Sequence, residues 1–133
     1  MGAGMSLRSP LGRALGRGSA HEGVSHWWSQ RAGAVALLPL TLWLVLSMAA
    51  LGSLDHAAVI GFFGRPVNTV LAILLVLVGA QHSHLGVSVV IEDYVHDPLA
   101  KLMGLTLSRL GHALAAVAGI FALLRIAFGS SFP

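Results

Sequence analysis

The chain has no cysteine, and only five of its 133 residues are acidic. Without cysteine it has no disulfides, no thiolate nucleophile and no cysteine-held iron–sulfur cluster of its own. Charge of either sign is scarce. Charged residues make up 10% of the chain, against about a quarter in an average soluble domain. That is too few to coat a water-facing surface. Hydrophobic residues make up 56% and the mean hydropathy is +0.81, which marks an integral membrane protein.

Three segments are long and apolar enough to cross a hydrocarbon core of about 30 Å. Residues 32–54 contain no charged side chain, and residues 67–91 are interrupted only by polar residues and two histidines. The third span covers about 104–126, with Arg109 and Arg125 near its ends, where long side chains can snorkel to the headgroups. The segments between them are short and leave no room for a separate soluble domain. The expected fold is an all-α membrane protein, with three transmembrane helices making up residues 32–133. Residues 1–31 form a cytoplasmic N-terminal segment with a short interfacial helix, because Ser19-x-x-Glu22 matches a capping box just ahead of Trp27 and Trp28. No cleavable secretory signal is expected, since the first long apolar run is a full span.

Arg8, Arg13, Arg17 and Arg31 precede the first span, while the first loop sets Arg65 against Asp55. The positive-inside rule puts the N-terminus in the cytoplasm, or on the matrix side of an organelle. With three spans, the loop after residue 91 returns to that face. A run with arginine and serine but no acid at residues 1–20 also fits a transit peptide, which leaves a mitochondrial inner membrane as the alternative to a bacterial one. The pI of about 10.7 and net charge of +3 follow from this flank and call for no nucleic acid.

Ionisable side chains inside a membrane span are costly and usually mark a site. The second span carries His82 and His84 and ends on Glu92-Asp93-Tyr94. At 100° per residue His82 and Asp93 lie within roughly 20° of one face, and His84 points almost the opposite way. The two histidines therefore do not share a cofactor. Gly79 and Gly86, one turn either side of His82, leave a strip free of side chains against which a flat macrocycle could lie. Imidazole nitrogen is a common haem ligand. His82 also lies about 18 Å from Tyr94 along the helix. The competing reading of His82 is a histidine hydrogen-bonded to a neighbouring helix. His112 as a second ligand from the same chain has poor depth, about 12 Å into its span. At the shallow end, Tyr94, Asp93 and Arg31 reach the same membrane face below the tryptophans. A phenol donor, a carboxylate and a guanidinium there suit a lipophilic carbonyl compound such as a quinone, with Arg31 holding Asp93 ionised. Tyrosine is also enriched at interfaces for its own sake. On the third span Gly111, Ala115 and Gly119 recur every four residues. Such a stripe serves either packing within the chain or a second subunit.

The segment HSHLGVSVVIEDYVHDPLAKLM resembles the H-x-x-x-G-x(6)-D-Y pattern of the small hydrophobic membrane anchor of succinate dehydrogenase, respiratory complex II. GSAHEGVSHWWSQRAGAVALLPLTLWL is similar to the N-terminal signature of the same anchor in alphaproteobacteria. The resemblance covers roughly residues 18–103. It implies that His82 is an axial ligand of haem b, the opposite ligand coming from the cytochrome b556 subunit. It implies that Tyr94 hydrogen-bonds a ubiquinone carbonyl beside Asp93, and that Arg31 lies close to quinone and haem propionates, with Gly86 beside the cofactor. A flavoprotein subunit would oxidise succinate and an iron–sulfur subunit would deliver electrons to this quinone site. The second histidine of HSH departs from the shorter bacterial pattern, though spacing to Asp-Tyr favours His82. Two other readings compete: a haem-free anchor of a fumarate reductase, and a proton-relay, transport or assembly subunit.

Overall fold

The computed structural model describes residues 20–129, with side chains from residue 23 onward. Arg8, Arg13, Arg17 and the Ser19-x-x-Glu22 pairing lie outside what it describes. Four helices follow in order: α1 (Ala20–Ala50), α2 (His56–Phe63), α3 (Pro66–Tyr94) and α4 (Pro98–Phe128). α1, α3 and α4 are each long and apolar enough to cross a membrane, as expected from hydropathy. Residues 20–31 are not a separate interfacial helix; they run straight into the first span as the opening turns of α1. Pro39 lies within that helix, which a membrane span tolerates because neighbouring groups can satisfy the freed backbone.

The connections are tighter than apolar length alone predicts. In place of a plain loop, residues 55–66 contain α2, started by Asp55, whose carboxylate accepts from the Ala58 amide at 2.8 Å. That amide, then the Ser53 hydroxyl, holds the Asp55 carboxyl below its ordinary value of 3.8. The cap is therefore at full strength above the usual carboxylate range and is lost as pH falls through the lowered value. α2 tucks Phe62 beneath the bundle, stacked on Trp43 at 5.8 Å. Burying such a ring from water contributes roughly 1.5–3 kcal/mol. Asn68 and Thr69 then clasp the end of α2, donating to the Phe62 and Phe63 carbonyls at 2.9 and 2.6 Å.

At the opposite end only residues 95–97 separate α3 from α4. Asp97 caps α4 by accepting from the Ala100 amide at 2.7 Å, and Pro98 occupies the first turn, where its missing N–H costs nothing. Lys101 reaches back to donate to the Glu92 carbonyl at 2.9 Å, closing the α3 C-terminus.

α1 and α4 each pack along α3 and not along each other. The three spans form a row with α3 in the middle, and this sets what each face of α3 meets. Only Phe62, Thr69, Ala72, Leu85, Ser88 and Leu123 are buried among the described residues. The rest of the apolar surface faces lipid or another subunit.

Candidate functional site in the membrane

α1 and α3 run antiparallel with a register fixed by three close approaches. A Cβ on Gly79 would meet Leu37 at 3.9 Å, one on Gly33 would meet the His82 ring at 3.2 Å, and one on Gly86 would meet Gln30 at 3.8 Å. The glycine strip either side of His82 is thus where α1 lies. His82 itself turns toward α1, and its Nδ1 is buried with no hydrogen-bond partner. The residue also borders an apolar groove of about 470 Å³ whose other walls are α1 side chains, among them Ala34, Leu38, Thr41 and Val45. A histidine serving only to tie two helices together would have its ring nitrogen paired. His82 Nδ1 is not.

His84 is on the other side. Its Nδ1 lies 3.3 Å from the Ser108 hydroxyl on α4, and its ring centroid is 5.7 Å from that of His112. His112 is also engaged: Nδ1 contacts its own-helix Ser108 carbonyl at 2.7 Å and Nε2 meets the Ser83 hydroxyl at 3.1 Å. A carbonyl can only accept, so Nδ1 of His112 carries the proton. Two hollows of about 300 and 310 Å³ flank this pair, both bordered by His84 and Arg109, the second also by His26 and Glu92. His112 faces α3 from the α4 side, while His82 faces α1. The two cannot clasp one planar cofactor.

At the shallow end of α3, Tyr94 is 78% exposed and Asp93 is exposed as well. Arg31 does not pair with Asp93 in an ion pair among the described residues. Its guanidinium lies over the Trp27 ring instead, 4.3 Å from the centroid, a cation–π contact. The register puts Arg31 level with Leu85, about 13 Å deeper than Tyr94 at 1.5 Å per residue. The arginine therefore stands between the His82 level and the Tyr94 level, not beside the carboxylate. Trp27 and Trp28 meet edge to face at 5.2 Å.

Known proteins share much of this sequence. A family model described as succinate dehydrogenase/fumarate reductase transmembrane subunit matches residues 5–127. The chain is 35% identical over 127 residues to a succinate dehydrogenase hydrophobic membrane anchor subunit of Paracoccus denitrificans, covering 95% of this chain and 97% of the relative. It is 35% identical over 89 residues to the same-named subunit of Rickettsia bellii, covering 67% and 71%. A succinate dehydrogenase membrane anchor subunit of Reclinomonas americana is 31% identical over 91 residues, covering 66% and 76%. The chain belongs to the succinate dehydrogenase/fumarate reductase transmembrane subunit family.

For a transmembrane subunit of this family, the row of helices accounts for what helical phase could not fix. Phase separates His82 from His84; the fold shows that the first meets α1 and the second α4. No cluster of three or more His, Asp or Glu side chains able to hold a metal ion occurs among the described residues. Sequence reasoning does not find Gly33 and Gln30, since nothing in the order of residues places them at His82. Their signal is the antiparallel register, available only once the α1–α3 pairing is known. The small-residue stripe on α4 divides in two. A Cβ on Gly119 would meet Val76 at 3.3 Å, whereas Gly111 has open space and Ala115 is exposed.

Proposed function

We propose that this chain is a membrane anchor subunit of a succinate:ubiquinone oxidoreductase in a bacterial inner membrane, where it binds a haem b and borders the ubiquinone reduction site. The observation that carries the haem reading is the His82 ring, set beside an apolar groove at a helix crossing, with a buried Nδ1 that no protein group satisfies. These features fit a planar, largely apolar group held through Nε2. His82 would hold its iron, Gly86 lets α1 pack against α3 one turn away, and Arg31 would offer charge to its carboxylates. When bound, haem b supplies one-electron storage close to the quinone. His84 and His112 are engaged on the far side of α3, so any further protein ligand would come from another chain, a role that suits the cytochrome b556 subunit.

Tyr94 and Asp93 stand exposed at the end of α3, a position that suits a site completed by neighbouring subunits. The Tyr94 hydroxyl would donate to a quinone carbonyl as negative charge builds on that oxygen, and the Asp93 carboxylate would pass protons from the aqueous face. Reduction to the quinol takes two electrons and two protons, so proton delivery at the interface is part of the chemistry. The electrons would arrive from an iron–sulfur subunit, and succinate oxidation belongs to a flavoprotein subunit. The arginines before the first span support an N-terminus in the cytoplasm, which puts Tyr94 and the 95–97 connection on the same side.

The test separates quinone chemistry from assembly. In the purified complex, Tyr94→Phe should lower succinate:quinone reductase activity at least tenfold while succinate oxidation by a soluble artificial acceptor persists. Equal loss of both would point to failed assembly, and no loss of either would remove Tyr94 from the quinone site.

A further inference from the structure

Two side-chain atoms are buried and unpartnered among the described residues: Nδ1 of His82 and Oε1 of Gln30. Their placement is related. Gln30 packs at Gly86 and Gly33 packs at His82, so both orphans lie in the same α1–α3 seam. The two contacts are offset by about one helical turn, roughly 4.5 Å along α1 and roughly 6 Å along α3. One is an amide oxygen that can only accept, and the other is a ring nitrogen that can carry a proton. Each unsatisfied polar atom in a low-dielectric interior is costly, and an acceptor and a donor left over in one seam can relieve each other's cost.

We infer that Gln30 is a positioning residue for His82, its amide oxygen accepting the Nδ1 proton and so presenting Nε2 to the groove. This inference rests on the reading of His82 as a haem ligand. An acceptor on Nδ1–H fixes the tautomer and ring orientation of a ligating histidine and makes its other nitrogen a stronger donor. Gly33 is part of the same device. A side chain there would press on Nδ1 from 3.2 Å and displace the ring. Gln30 touches no reacting group in this scheme; it acts only through the imidazole.

The experiment uses the intact purified complex with Gln30→Leu and Gln30→Glu, alongside His82→Ala. Two quantities are read on oxidised haem b: the quadrupole coupling of the remote imidazole nitrogen by pulsed electron paramagnetic resonance, and the midpoint potential. Gln30→Leu should retain haem, alter the remote-nitrogen coupling and raise the potential, since a weaker donor stabilises the oxidised iron less. Gln30→Glu keeps an acceptor, so the coupling should remain in the hydrogen-bonded range and the potential should fall. If haem is retained and both variants give the native coupling and potential, the inference is overturned. If Gln30→Leu does not assemble, the Gln30→Glu pair of readings decides alone. Retention of haem in His82→Ala would sink the ligand reading itself, a result separable from failure of the Gln30 link.

Discussion

The two faces of α3 treat the same side chain in opposite ways. Toward α4, His84 and His112 sit in a web of serine contacts at 2.7–3.4 Å, so those rings are engaged within the chain. Toward α1, His82 keeps a buried nitrogen without a protein partner, next to an apolar groove. Both histidines are costly to hold in the bilayer, but only His84 has that cost offset within the chain. Polar groups in a membrane that are fully paired serve helix association. On the proposed reading, the one left unpaired belongs to a residue that holds a bound group. The contrast is then between a fastening and a proposed binding residue.

The largest effect that could break this comparison is on haem b itself. His82→Ala in the assembled complex should abolish the reduced-minus-oxidised b-type absorption or displace it. His84→Ala should leave that spectrum in place. The reverse result would exchange the roles of the two faces. Next in size is Gly33, which lets the helices approach at His82. Gly33→Val should cost about 1–3 kcal/mol by overpacking a seam already at 3.2 Å. It should be read as reduced haem content per complex, with Gly33→Ala giving a smaller shift of the absorption band. Normal haem content and an unshifted band in Gly33→Val would mean that α1 does not bear on His82.

Much of this division is legible in the sequence. The spans follow from apolar runs of membrane length, and the opposed directions of His82 and His84 follow from two residues' worth of helical phase. The spans' edges do not. Hydropathy reflects only what lipid requires, so it stops near residues 54, 91 and 104, while the helices obey capping chemistry. Asp55 and Asp97, each accepting a backbone amide three residues on, start helices where hydropathy predicts a loop. Asp97-Pro98 is a helix-start signature readable from the sequence, and apolar length does not register it. The expected proximity of Arg31 to Asp93 rests on their common membrane face, but a shared face does not fix depth. The 33/82 and 30/86 contacts set Arg31 well below Asp93, and Trp27 takes its guanidinium. Interhelical neighbours such as Gln30 have no local signal, because register depends on which glycines the partner helix meets.

The engaged face can be probed by its contribution to stability. His112→Leu keeps volume but leaves Ser83 without its ring partner, and should destabilise the α3–α4 pairing by roughly 1–2 kcal/mol. Its haem b absorption should stay native, measured together with denaturant unfolding of the complex. Loss of haem with unchanged stability would contradict a purely fastening role. Ser108→Ala is the mildest change. The hydroxyl lies 3.3 Å from His84 and 3.4 Å from His112, long contacts, whereas the strong 2.7 Å contact of His112 is to the Ser108 backbone carbonyl and survives the substitution. Hydrogen bonds between membrane helices average about 0.6 kcal/mol, so Ser108→Ala should cost less than about 1 kcal/mol and leave the spectrum unchanged. A cost equal to that of His112→Leu would mean the hydroxyl, not the carbonyl, anchors the ring. The fastening would then depend on a rotatable group shared between both histidines, and the α4 face would be less fixed than its contacts imply.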